Sequence, residues 1–78
     1  MAQIRDKKLL RNIALVIKEL RDDMGASQES VYNETNIHIG RLEAGELNPT
    51  ISTLSELLKF FNLTLSEFFL LVEKKMSK

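Results

Sequence analysis

Apolar residues recur at helical spacing along most of the chain. Leu9, Ile13, Ile17, Leu20 and Met24 follow one another at helical offsets, and Leu10, Ala14 and Val16 widen the stripe. Lys18, Glu19, Arg21 and Asp22 lie mostly on the other side. The pattern predicts a first helix over residues 4–24, stopped by Gly25. Ser27 is suited to cap a second helix, residues 28–34, because its hydroxyl accepts from the orphan N–H groups of the first turn. Asn36 falls where the chain turns, and Asn tolerates the left-handed conformation. Ile39 and Leu42 share one face of a third, short helix that ends at Gly45. His38, Gly40 and Arg41 then point away from that face.

Pro49 makes the next residues a loop and biases Asn48 to an extended conformation. A fourth helix opens at Thr50 or Ser52, carries Leu54, Leu57, Leu58 and Phe61, and ends at Asn62. Thr64 and Glu67 have the capping-box spacing. They open a last helix with Phe68, Phe69, Leu71 and Val72. Leu70 makes that helix apolar almost all round, which suggests a partner surface at Phe69 and Leu70; the alternative is that all of it packs inside this small domain. Five helices without strand or repeat predict a compact all-α fold with short connections and fast folding. Residues 27–45 form two short helices joined by a turn, a helix-turn-helix, whose second helix is the usual reader of the DNA major groove.

Composition narrows the picture. Seventy-eight residues suit one domain, taken as 1–78. At 44% hydrophobic, the chain has material for a packed core, and the absence of cysteine excludes disulfides and cysteine metal sites. No apolar run approaches the length of about 20 residues that spans a bilayer, and the N-terminus lacks a secretory layout, so a cytoplasmic protein is expected. Net charge is zero, although phosphate affinity rests on Lys and Arg. The charge is unevenly placed: residues 1–21 carry six basic and two acidic side chains, residues 22–46 one basic and six acidic. Arg5, Lys7, Lys8 and Arg11 form the basic end.

The chemistry of the candidates points to binding rather than catalysis. Arg41 can lay its fork on guanine O6 and N7 or contact a phosphate; otherwise it pairs with Glu34 or Glu46. His38 can donate to a phosphate or a base. As the only histidine it lacks a partner for a metal site or a proton-transfer pair. Thr35 either caps the third helix or touches a phosphate. Gly40 costs about 1 kcal/mol of helix propensity, which close approach of DNA or of another helix would explain. Tyr32 can reach a phosphate with its hydroxyl, though partial burial in the core is the favoured expectation. There is no phosphate loop, nucleophile–histidine–carboxylate set or paired-carboxylate pocket, so neither an enzyme nor a cofactor is expected.

Ile17-Lys18-Glu19-Leu20-Arg21, Gly25 and Ser27-Gln28-Glu29 resemble the opening of the Cro and lambda-repressor helix-turn-helix family. So do Ile39-Gly40-Arg41-Leu42-Glu43-Ala44-Gly45, Asn48-Pro49-Thr50, Leu54 and Leu65-Ser66-Glu67-Phe68-Phe69. The match covers roughly residues 10–70, and small bacterial transcription regulators, including restriction–modification controller proteins, look like this. The resemblance implies a five-helix lambda-repressor-like DNA-binding domain, acting as a homodimer on a palindromic operator in double-stranded DNA. It implies a phosphate contact for Gln28, backbone contacts for Asn48 and Thr50, and a buried ion pair between Arg21 and Glu43. The family usually has about three more residues between Thr35 and Glu43. Aligned backward from Glu43, the groove-facing residues are Thr35, Asn36, His38 and Arg41; aligned forward from Ser27, Asn36 is a turn residue. The rival to a DNA-binding regulator is a protein-interaction module, an antitoxin or adaptor, using the acidic helix pair.

Overall fold

The computed structural model describes residues 4–77, with five helices and no strand among them: α1 (Lys7–Met24), α2 (Gln28–Thr35), α3 (Ile39–Glu43), α4 (Ile51–Phe60) and α5 (Leu65–Met76). The first helix starts later than the apolar pattern predicts. Asp6 is its cap, accepting from the Leu9 N–H at 3.0 Å, and Ile4 lies outside, 88% exposed. A side-chain acceptor for orphan donors fixes the start more strongly than one apolar residue with no core to reach.

The other caps follow the sequence. Ser27 accepts from the Ser30 N–H and opens α2. Thr50, not Ser52, opens α4 by accepting from the Thr53 N–H. Asn36 and Asn62 adopt φ of 62° and 59° at the ends of α2 and α4, where their short polar side chains make the left-handed turn tolerable. Gly45, at φ 73°, does the same after α3, and the Glu46 N–H closes back on the Arg41 carbonyl.

α1 packs against α5 on one side and α3 on the other, α2 packs on α4 and α3, and α4 meets α5. Ile17, Val31, Leu57, Phe68 and Val72 are fully enclosed where these helices converge, with Ile39 and Leu42 of α3 also in the core. Leu54, Leu57, Leu58 and Phe61 are buried as their spacing requires. Met24 departs from expectation: it is 49% exposed, because α1 runs past the core in its last turn. Lys75 of α5 is held to Glu19 of α1 at 2.6 Å.

The capping box of α5 is complete. The Glu67 N–H donates to Thr64 Oγ1, and the Thr64 N–H donates to Glu67 Oε1 at 2.9 Å. The Thr64 backbone N–H, and then its hydroxyl, holds the Glu67 carboxyl below the ordinary carboxylate range. A depressed pKa stabilises the fold above the unfolded value. The Glu67 contribution is therefore complete at neutral pH and is lost as pH falls below about 4. Thr64→Ala is expected to cost about 1 kcal/mol. For a domain of this size that is a fall of roughly 4–8 °C in Tm, measurable by circular dichroism.

Candidate nucleic-acid interface

The reading unit is built from α2, a three-residue connection and α3. Thr35 Oγ1 donates to the Val31 carbonyl at 2.7 Å and accepts from the Ile37 N–H at 3.1 Å. Thr35 therefore shapes the turn and does not cap α3, correcting one of its two expected roles. His38 takes the N-cap position of α3 without a side-chain hydrogen bond. Asn36 is the left-handed turn residue, as the forward alignment has it, and stands outside the third helix. α2 has eight residues and α3 only five, about 7.5 Å long.

Behind the exposed face, a charged network fixes α3 to the rest. Arg21 Nε donates to Glu43 Oε2 at 2.6 Å and Nη2 to Oε1 at 3.0 Å, a two-pronged pair with side chains 13% and 5% exposed. Arg21 Nη1 also donates to the Ala26 carbonyl at 2.9 Å. The hydrogen bonds to Glu43 raise the Arg21 pKa against the opposing effect of burial, so the guanidinium stays charged. Gln28 Nε2 donates to Glu43 Oε1 at 3.0 Å, a partner the sequence did not reveal. One N–H of that amide is thereby used and a second remains. Gly40 makes this arrangement possible: a Cβ there would lie 3.0 Å from Gln28 Oε1. The close approach that explains Gly40 is thus between α2 and α3.

The outward side is an open groove of about 540 Å³ lined by Gln28, Glu29, Tyr32, His38, Gly40 and Arg41, with Ile39 at its floor. Tyr32 is 38% exposed and stands outside the core cluster, contrary to its expected place in the core. Its ring lies against His38, with centroids 4.7 Å apart and planes tilted by 38°. Arg41 is well exposed, and its one ion pair among the described residues is with Glu46, Nε to Oε1 at 4.0 Å. Asn48 is exposed in the loop; Thr50 is exposed as well, but its hydroxyl is occupied as the α4 cap. Arg5 donates to the Glu46 carbonyl at 2.8 Å and the Gly45 carbonyl at 3.4 Å, tying the basic N-terminal segment to the end of α3. Lys7 and Arg11 line the cleft beside that contact. Among the described residues no group of three or more His, Asp or Glu side chains is gathered to hold a metal ion, and no helix is long and apolar enough to cross a membrane.

This architecture has known counterparts. A family model described as Helix-turn-helix matches residues 17–68, from the middle of α1 into α5. The chain belongs to the helix-turn-helix family. The HTH-type transcriptional regulator PuuR of Escherichia coli (strain K12) is 39% identical over 61 residues, covering 74% of this chain and 33% of that protein. PuuR of Shigella flexneri matches to the same extent. The chain thus spans about a third of the length of these curated relatives. Among solved structures, the restriction-modification controller protein C.Esp1396I, crystallised as a tetramer with its natural 35-base-pair operator, superposes with a TM-score of 0.81. It is 29% identical, and the match covers 90% of this chain and 96% of that one. A crystal structure of the wild-type controller protein gives the same score and coverage. The five-helix all-α fold expected from the residues, and the lambda-repressor-like form implied by the resemblance, are therefore the fold of this helix-turn-helix chain.

Proposed function

We propose that this chain is a DNA-binding transcriptional regulator that presents α3 to the major groove of an operator and acts as a homodimer. The observation that carries this reading is the division of charge in the reading unit. The Arg21–Glu43–Gln28 network locks α1, α2 and α3 together from behind. Arg41 and His38 are left exposed in front, Arg41 with only a 4.0 Å contact to Glu46. A reader needs both features, a rigid support and side chains free to bond a base. Family membership and the operator-bound controller protein support the same assignment.

In this account Arg41 and His38 face the bases. The second N–H of Gln28 faces a phosphate. Asn48, the N-terminus of α4 at Thr50 and the turn at Thr35 and Asn36 lie along the backbone. Arg5, Lys7 and Arg11 add positive charge at the end of α3. The reading needs no cofactor or catalytic step, and a cytoplasmic location follows from it. The test is selection of duplexes from a random pool, with a two-fold symmetric consensus expected. Glu29 in the groove and the zero net charge favour the other reading, an adaptor or antitoxin that binds protein. That reading predicts no enrichment.

The dimer surface is assigned to α5. Leu70 is 54% exposed and Leu71 38%, whereas Phe69 is half-buried against Phe68 and forms the edge of the patch. Leu70→Glu is expected to move the protein toward monomer in sedimentation, because the interface would have to bury a carboxylate. An unaltered species distribution would place the interface elsewhere.

A further inference from the structure

We propose that Tyr32, a residue of α2, positions His38 for base reading, so that α2 supplies part of the reading surface that a five-residue α3 does not provide. This rests on the DNA-binding reading above and adds a specificity-determining role to a residue outside the third helix.

The structural argument begins with the length of α3. At 1.5 Å per residue it presents little more than one turn to a groove. Ile39 and Leu42 are turned into the core and Gly40 has no side chain, which leaves Arg41 as the outward side chain in its first turn. His38 precedes the helix as its N-cap residue but makes no capping hydrogen bond, so its backbone alone does not fix the ring. The contact that orients the imidazole is the Tyr32 ring, 4.7 Å away between centroids. The tilted ring contact is not a hydrogen bond, and among the described residues no hydrogen bond engages the imidazole nitrogens. A neutral imidazole carries one donor and one acceptor, enough to distinguish hydrogen-bonding partners on a base edge.

The spacing suits two neighbouring base pairs. His38 and Arg41 stand at the start and in the first turn of α3, three residues apart in sequence, against about 3.4 Å per base step. Tyr32 and Glu29 lie on the same face of α2, three apart, and both line the groove with His38 and Arg41. The paired rings therefore extend the reading surface backward from α3 onto α2.

The experiment uses the full chain and the consensus duplex from site selection, with every single-base-pair variant of one half-site. Affinities are measured for wild type, Tyr32→Ala, Tyr32→Phe, His38→Ala and the Tyr32→Ala/His38→Ala double variant. His38→Ala is expected to relax discrimination about tenfold at one base pair, adjacent to the pair relaxed by Arg41→Ala. Tyr32→Ala should relax the same base pair as His38→Ala and leave the Arg41 pair intact. Tyr32→Phe should retain selectivity, and the double variant should be no worse than His38→Ala. Tyr32→Leu, which keeps apolar bulk, is measured alongside so that a folding defect in Tyr32→Ala does not decide the result, and it should show the same relaxed base pair. The proposal is overturned if Tyr32→Ala and Tyr32→Leu keep wild-type selectivity, if they weaken all duplexes uniformly, or if the Tyr32 and His38 losses multiply. A wild-type chain that enriches no sequence would overturn the DNA-binding reading and this inference with it. A selective wild type with an indifferent Tyr32 removes this inference alone.

Discussion

Replacing Glu43 with alanine is expected to destabilise the domain by about 3–5 kcal/mol, the cost of leaving a buried charge without its partner. Arg21 is only 13% exposed, and in Glu43→Ala it would keep the Ala26 carbonyl and a longer 3.6 Å contact with the exposed Asp22 but lose both prongs of its buried carboxylate. Gln28 would lose its anchor too. For a domain of this size the loss is a fall of at least roughly 12 °C in Tm, close to the whole stability of many small domains. The paired replacement Arg21→Met/Glu43→Met should recover much of this loss, because an apolar pair of similar size leaves no uncompensated charge. Thermal melts followed by circular dichroism compare the variants. An unchanged melting curve for Glu43→Ala would mean that the pair contributes nothing to folding.

Arg41→Ala is expected to do the opposite, leaving the melting curve in place and weakening operator binding. Its side chain is 63% exposed and its contact with Glu46 is long, so little stability is lost with it. A guanidinium forked on guanine is worth about 1–3 kcal/mol of discrimination in each half-site, and a dimer loses it twice. Fluorescence titration of a selected duplex should show a loss of about tenfold or more, concentrated at one base pair of each half-site. A uniform loss across sequences, with a salt slope reduced by about one per protomer, would move Arg41 from a base to a phosphate. Loss of helical signal would make it structural.

The features legible in the residues are those set by local chemistry. Ser27, Thr64 with Glu67, and the left-handed Asn36 and Asn62 are where cap and turn preferences place them. The buried faces of α4 and most of α1 follow from periodicity. Periodicity identifies a face but not how far along the helix the core extends, which is why Met24 is exposed and why the start of α1 lies at Lys7. The Arg21–Glu43 pair came from family resemblance; periodicity does not connect residues 22 apart. The Gln28–Glu43 bond and the Arg5 contact with Glu46 join segments whose proximity exists only after folding. Thr35 reads as a cap of α3 or a phosphate contact, whereas its hydroxyl is taken by the turn. Tyr32 illustrates the limit for the site: an aromatic residue near an amphipathic boundary reads as core, and only the short α3 and the placement of His38 show it facing outward.

The most direct test of the account is titration of the selected palindromic duplex and a scrambled duplex across a range of salt concentrations. If two or three of Arg5, Lys7 and Arg11 each neutralise a phosphate in each protomer, the logarithm of affinity should fall with the logarithm of salt with a slope of about −3.6 to −5.4 for the dimer. The consensus duplex should remain bound at least about 10³-fold more tightly than the scrambled one. Equal, weak binding to both duplexes at every salt concentration would contradict the account and assign the exposed face of α2 and α3 to a protein partner.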